Sequence, residues 1–140
     1  SGLTGERWEP QGQNLARLCD QALVVRDLAA TLRRLGFKPG NNPYEDLFAL
    51  DGNGQAVAVF QVVTDNRLKK VHEGATRLFF STLTRPRTCR FFLAVPEPLD
   101  ITLQRRMEGL AIRPLVYAWG DNGEAVFPGI ERLLSPESSN

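Results

Sequence analysis

The stretch QAVAVFQVV (residues 55–63) decides the fold, because apolar residues occupy both alternating sets of positions along it. Successive side chains of a β-strand point to opposite faces of the sheet, so this strand is apolar on both faces. A strand of this kind lies in the middle of a sheet that is covered on both sides. Gln61 interrupts one apolar set, and we expect its amide to find hydrogen-bond partners or a wet pocket there.

A second strand is predicted immediately upstream, over residues 46–51 (DLFALD). The linker between the two strands, Asp51-Gly-Asn-Gly54, supplies the positive φ angles that a tight hairpin needs. Earlier in the chain, Phe37 is expected to begin a short strand that ends at a turn cluster over residues 39–43 (PGNNP). A strand hairpin is therefore expected at the centre of the fold.

Helices are predicted before and after this hairpin. Apolar residues that recur every three or four positions predict one helix over about residues 14–35 and another from Leu68 to near Pro86. A third helix is expected to be capped by Asp100 or Thr102 and to end near Gly109. Further strands are predicted over residues 90–95, 112–119 and 124–127. This order of elements indicates an α/β fold with a mixed central sheet flanked by helices.

The chain has 140 residues, the length of one ordinary domain, with the 42% hydrophobic and 24% charged residues typical of globular proteins. We predict a flexible lead-in over residues 1–13, a single domain over 14–134 and a loose polar tail over 135–140. No apolar run reaches the ~18–20 residues of a membrane-spanning helix, and nothing argues for export. We therefore expect a cytoplasmic protein without membrane contacts.

Few residues of this chain are suited to metal or nucleophilic chemistry. Cys19 and Cys89 lie far apart without metal-ligand spacing, so we expect buried thiols rather than a disulfide or a zinc site. His72 is the single histidine, which excludes most histidine-dependent metal clusters and argues against a catalytic triad.

Basic residues concentrate in one segment. Residues 65–90 contain seven basic and two acidic side chains, an excess of +5 in a chain whose net charge is +1. A local excess of this size can form an anion-binding surface, although basic side chains also serve simply to solvate a helix face or a loop. Arg85-Pro-Arg87 is expected to hold two guanidinium groups outward for phosphate contact. The candidates for nucleic-acid contact are Arg67, Lys69, Lys70, Arg85 and Arg87.

The hairpin and its neighbours resemble the PD-(D/E)xK nuclease motif, and the wider order of elements resembles the restriction-endonuclease-like fold. In that family an acid near the start of one strand is followed, after a hairpin, by acid-x-lysine on the next strand. Asp46 falls on the first acid, Gln61 on the second and Val63 on the lysine. The resemblance covers most of the chain, from residue 15 to residue 127.

The resemblance implies a Mg²⁺ ion that is held by two carboxylates, activates water and stabilises the charge on the scissile phosphate. In this chain the metal ligands would be Asp46 and the carbonyl oxygen of Gln61, and only if the protein is an active nuclease. Val63 neither donates a hydrogen bond nor carries charge, so a displaced Lys69 or Lys70 would have to replace the lysine. The alternative is that Asp46 simply opens a strand and that Gln61 is simply hydrogen-bonded.

These observations favour a catalytically degenerate nuclease-fold module that requires no cofactor. We expect it to bind nucleic acid weakly, chiefly through the DNA backbone, or to help assemble a larger DNA-processing protein with other subunits or domains. Two alternatives stay open. One is an active metal-dependent nuclease with a displaced lysine, and the other is a protein–protein interaction domain of a larger protein.

Overall fold

The computed structural model describes residues 3–135, with side chains from Cys19 onward. Within that range the chain forms four helices and seven strands. In chain order these are α1 (Leu3–Arg34), β1 (Lys38–Asn42), β2 (Glu45–Leu50), β3 (Ala56–Val62), α2 (Leu68–Thr82), β4 (Arg90–Val95), α3 (Ile101–Gly109), β5 (Ile112–Val116), β6 (Ala118–Trp119), β7 (Ala125–Val126) and α4 (Ile130–Leu134).

Five strands form one mixed sheet in the order β1-β2-β3-β4-β5. The first three strands pair antiparallel, and β3, β4 and β5 pair parallel. One helix, α1, packs on one face of this sheet, whereas α2 and α3 pack on the other. The structure thus confirms an α/β fold with a mixed sheet flanked by helices, and it places β3 in the centre.

The alternating apolar residues of β3 fill two separate cores. On one face, Phe60 is fully buried against α1 and stacks on Phe92 of β4, with 5.2 Å between ring centroids. On the other face, Val59 and Val63 pack with the buried side chains of α2 and α3. A strand that is apolar in both sets of positions is stabilised only when both faces are covered, and this is the arrangement found.

The N-terminal helix begins earlier than the apolar spacing predicts. It starts at Leu3, so residues 3–13, predicted as a flexible lead-in, belong to α1. Its end agrees with the prediction, because the chain turns at Gly36, whose φ of 93° suits a residue without a side chain. The predicted tail lies outside the described residues apart from Ser135.

The predicted turn cluster over residues 39–43 is wrong for most of its length, because those residues form the edge strand β1. An edge strand tolerates Pro39, which lacks an N–H donor. Gly40 is required there for space, since a Cβ atom on it would lie 2.5 Å from the Phe48 ring. The chain turns instead at Pro43 and Tyr44.

The predicted strand over residues 112–119 is interrupted at Tyr117. Residues before it form β5 in the main sheet, and residues after it form β6, which pairs with β7 in a separate two-stranded sheet. The buried Tyr117 hydroxyl donates to the carbonyl oxygen of Val63 at 2.9 Å, and burial raises its pKa to about 12. The predicted cap of α3 is confirmed, because Asp100 accepts hydrogen bonds from the first turn.

The two cysteines differ in environment. Cys89 is buried, as predicted, and burial raises the pKa of its thiol to about 11, so it is a poor nucleophile near neutral pH. Cys19 is exposed, so the prediction of a buried thiol is wrong there. Among residues 3–135, no helix has the length and apolar character needed to cross a membrane.

One buried carboxylate ties α1 to the C-terminal part of the chain. Asp27 is 9% exposed and accepts a hydrogen bond from the backbone N–H of Ala125 at 2.8 Å. We expect Asp27→Ala to lower the free energy of unfolding by about 1–3 kcal/mol, because the buried N–H loses its acceptor.

Urea unfolding measures this loss of stability. Arg26→Ala is the control, since its guanidinium is 62% exposed and contacts the same carboxylate. Equal losses for both variants would contradict the prediction.

Candidate functional site

A polar pocket of about 420 Å³ lies between α1, the β2–β3 hairpin and α2. The structure brings the three motif positions, Asp46, Gln61 and Val63, together in this pocket, and Lys70 joins them from α2. Its full lining consists of Gln21, Asp46, Gln61, Val62, Val63, Thr64, Lys70, Glu73, Gly74 and Arg77. We call it the polar pocket.

Protein groups surround the carboxylate of Asp46. Its Oδ2 atom accepts hydrogen bonds from the backbone N–H of Val62 at 2.9 Å and from Nε2 of Gln21 at 3.1 Å. Its Oδ1 atom lies 3.7 Å from Nη1 of Arg77, so a guanidinium faces the carboxylate. Asp46 therefore does more than open a strand, because it joins α1, β3 and α2.

Gln61 is 1% exposed, and its Nε2 donates to the carbonyl oxygen of Tyr44 at 2.8 Å. This confirms that its amide finds a hydrogen-bond partner. Val63 belongs to the core beneath α2, and the helix comes close to it at Gly74. A Cβ atom on Gly74 would lie 3.2 Å from Val63 and 2.6 Å from Leu93, so this contact excludes larger residues. Val63 thus packs α2 onto the sheet.

The two candidate lysines lie in different places. Lys70 lines the polar pocket, and its Nζ is 3.8 Å from a carboxylate oxygen of Glu73 one helical turn later. Lys69 is exposed and does not line the pocket. Lys70 is thus the candidate lysine that shares the pocket with Asp46, Gln61 and Val63.

The donor set of the polar pocket does not fit Mg²⁺. Hard divalent cations prefer several carboxylate oxygens, but the pocket holds only two carboxylates, Asp46 and Glu73, and Glu73 already faces Lys70 at 3.8 Å. Arg77 already faces Asp46, and a metal ion would have to displace that guanidinium. No group of three or more His, Cys, Asp or Glu side chains among the described residues is placed to hold a metal ion.

A second acid–base pair stands beside the polar pocket. Glu45 is 3% exposed and accepts hydrogen bonds from Nε of Arg85 at 3.1 Å and from Nη2 of the same guanidinium at 2.5 Å. Asn42 donates to Glu45 at 2.9 Å, and the guanidinium of Arg85 lies 4.9 Å from the ring centroid of Phe48. Burial alone would raise the pKa of Glu45, but hydrogen bonds from Arg85, Ser81 and Asn42 outweigh it and lower the pKa.

The predicted outward orientation of the two arginines around Pro86 is wrong for one of them. Arg85 turns inward to Glu45, because the bidentate pair offsets the burial of both charges. Arg87 is exposed, as predicted. Arg67 is also exposed, and its guanidinium contacts Asp65 at 3.2 Å. The predicted set of basic residues therefore divides into one partly buried member, which a buried carboxylate holds, and four members on or near the surface.

Sequence reasoning missed two partners of Asp46, namely Arg77 and Gln21. Arg77 follows Lys70 and Glu73 at spacings of seven and four on α2, so the helical period places all three on one face. That signal was available in the sequence. No spacing in the sequence pointed to Gln21, because it lies on another helix, 25 positions before Asp46.

No protein-family model, curated protein or solved structure matches this chain. The function is therefore inferred from the chemistry of the site.

The Glu45–Arg85 pair generates a pH-dependent prediction. Because folding lowers the pKa of Glu45 below its ordinary value of 4.5, its contribution to stability is present above pH 4.5 and is lost as the pH falls through the folded value. We expect Glu45→Gln to lower the free energy of unfolding at pH 7 by about 1–3 kcal/mol, because the partly buried Arg85, whose side chain is 22% exposed, loses its carboxylate partner. The difference between parent and variant should shrink as the pH falls below 4.5.

Urea unfolding at a series of pH values measures this difference. Glu73→Gln is the matched control, because it removes the same charge from a side chain that is 50% exposed, and its effect at pH 7 should be small. A constant difference between parent and Glu45→Gln at all pH values would contradict the prediction.

Proposed function

We propose that the chain is a non-catalytic nucleic-acid-binding module on a restriction-endonuclease-like scaffold. It holds the phosphate backbone through exposed basic side chains of α2 and of its flanking loops, and it does not hydrolyse phosphodiesters. A place in a larger DNA-processing assembly, beside other subunits or domains, is compatible with such a module.

The sheet and the pocket together support the choice of scaffold. A helix, an antiparallel strand hairpin, a helix and a parallel strand follow one another as the resemblance implies. Asp46, Gln61 and Val63 share the polar pocket, although fifteen positions separate the first two. The antiparallel register of β2 and β3, with Leu47 opposite Phe60, places Asp46 beside Gln61, in line with the motif.

The contact between Arg77 and Asp46 is the main observation in support of a protein that does not hydrolyse phosphodiesters. A nuclease of this type needs a divalent cation at the first acid, and here a guanidinium on α2 faces that acid at 3.7 Å. Asp46 also accepts two hydrogen bonds, which a metal ligand would have to share or give up. Val63 leaves the lysine position without a charge, so it offers nothing to orient or activate an attacking water.

Differences in burial decide which basic residues are available to phosphates. Ion pairs between exposed side chains are worth about 0–1 kcal/mol, so a phosphate can compete with Asp65 for Arg67 and with Glu73 for Lys70. Arg85 is held by a buried carboxylate, which a phosphate cannot easily replace. The proposed phosphate-binding set is therefore Arg67, Lys69, Lys70 and Arg87.

The non-catalytic part of the proposal is tested by incubation with supercoiled plasmid and Mg²⁺ or Mn²⁺. We expect no nicking, because motif positions 61 and 63 hold an amide and an apolar side chain instead of a carboxylate and a lysine. Agarose electrophoresis measures the relaxed product, and Asp46→Ala is the control for a contaminating nuclease. Nicking by the parent that disappears in Asp46→Ala would overturn this part of the proposal and support the active-nuclease alternative.

The binding part of the proposal predicts weak, sequence-tolerant and salt-dependent association with duplex DNA. Each phosphate contact contributes about 0.9 to the slope of log K against log salt concentration, so Lys69→Ala with Arg87→Ala should reduce that slope by about 2. Fluorescence anisotropy with a labelled duplex at several salt concentrations measures it.

The control removes the same charge from the opposite side of the sheet. Arg33→Ala with Arg34→Ala changes two exposed arginines at the end of α1 and should leave the slope nearly unchanged. If both double variants reduce the slope equally, the effect reflects net charge alone. That result, or the absence of binding at low salt, would refute the proposed interface.

A further inference from the structure

A second concave surface adjoins the polar pocket. It lies between the β1–β2 turn and the C-terminal end of α2, encloses about 960 Å³ and is lined by Pro43, Tyr44, Arg77, Phe80 and Leu83 among others. We call it the apolar groove. Three of its apolar side chains are largely exposed: Tyr44 by 78%, Phe80 by 61% and Leu83 by 67%.

The walls of the apolar groove are fixed by contacts beneath them. On one side, Asn42 accepts hydrogen bonds from the backbone N–H groups of Tyr44 and Glu45, both at 2.8 Å, which sets the shape of the turn. On the other side, Arg77 donates to the carbonyl oxygen of Pro43 at 3.1 Å. The salt bridge between Glu45 and Arg85 joins the two sides. The groove is therefore preformed, and a ligand would meet a site that is already organised.

The groove combines aromatic rings with a positively charged wall. Tyr44 and Phe80 present rings to solvent, and the side chain of Arg77 is 44% exposed. Aromatic rings beside cationic groups are the features that proteins use to stack unpaired bases and hold their backbone. Arg77 also lines the polar pocket, so the same guanidinium borders both cavities.

We propose that the apolar groove takes an unpaired nucleobase, so that the module prefers single-stranded over duplex nucleic acid. The inference rests on the proposed function and deepens it by naming the substrate class. The base would stack on Tyr44 and Phe80, while the flanking phosphates would meet Arg77 and the exposed Arg87. A duplex presents its bases paired and stacked, so it would gain only the backbone contacts.

Charge complementarity favours this occupant over a purely apolar one. Three charged residues line the groove, namely Arg77, Arg85 and Glu45, which leaves an excess of one positive charge. An apolar peptide or a second copy of the chain would cover the aromatic rings but would bring no negative charge to balance this excess. A single strand supplies both a flat apolar base and the matching negative charge.

The test compares a short fluorescein-labelled oligothymidylate with a duplex of equal length, by anisotropy at constant low salt. We expect the parent to bind the single strand more tightly. Tyr44→Ala with Phe80→Ala should weaken single-strand binding roughly 5- to 100-fold, since stacking on an aromatic side chain contributes about 1–3 kcal/mol per base. Duplex binding should change less than about twofold, because backbone contacts alone hold it.

Two control variants separate stacking from general loss of apolar surface. Ile101→Ala with Leu110→Ala removes two exposed apolar side chains of α3 and should leave single-strand affinity unchanged. Tyr44→Phe with Phe80→Tyr keeps both rings and should retain the parent affinity. Urea unfolding verifies that each variant is folded, which we expect because the changed side chains are exposed.

The outcomes distinguish this inference from the proposed function. If the Tyr44 and Phe80 variants bind the single strand as the parent does, while Lys69→Ala with Arg87→Ala weakens both ligands, the groove is not a base site and the proposed function stands. If neither ligand binds at low salt, both proposals fail. If sedimentation shows a dimer that Tyr44→Ala with Phe80→Ala dissociates, without an effect on single-strand binding, the groove is a self-association surface and the inference is overturned.

Discussion

The salt bridge between the buried Glu45 and the partly buried Arg85 joins the beginning of β2 to the loop that follows α2. Removal of one partner of such a hydrogen-bonded pair costs about 1–3 kcal/mol, because the remaining polar group loses its partner. The bond therefore holds the β1–β2 turn against the end of α2. The ring of Phe48 lies under the guanidinium of Arg85 and over Gly40, so the same contact also fixes the edge strand β1. The walls of the apolar groove depend on this arrangement, because Glu45 and Arg85 both line it.

The polar pocket and the apolar groove are linked through a few hydrogen bonds next to that salt bridge. The carbonyl oxygen of Tyr44 accepts from Gln61, and the neighbouring Asp46 accepts from Val62. Arg77 reaches both cavities, since it contacts Asp46 in one and the carbonyl oxygen of Pro43 in the other. A group that binds in either cavity would meet the same guanidinium, because Arg77 lines both.

The central part of the fold could be predicted from the sequence because it depends on local patterns. Three short-range patterns predicted it: the alternation of apolar residues on both faces of β3, the helical spacing of apolar residues in α2, and the distance in sequence from Asp46 to Gln61. The strand β3 and the helix α2 lie where these patterns predict them. Contacts between distant residues could not be predicted in this way. Arg85 was expected to point outward, but the acid that it binds lies 40 positions earlier. The edge strand β1 was missed because its proline and glycine are typical of turns, and only its position at the edge makes them acceptable.

The charges of the polar pocket balance without a metal ion. Asp46 and Glu73 supply two negative charges, and Lys70 and Arg77 supply two positive charges. A glutamate at position 61 would add a third negative charge at a side chain that is 1% exposed, and burial of an uncompensated carboxylate is costly. That charge would have to be met by a cation. Gln61 is neutral, so no cation is needed at this position, and its amide donates to the backbone carbonyl of Tyr44. The neutral amide at position 61 and the guanidinium of Arg77 beside Asp46 therefore belong to one electrostatic arrangement, in which side chains balance the charge of Asp46.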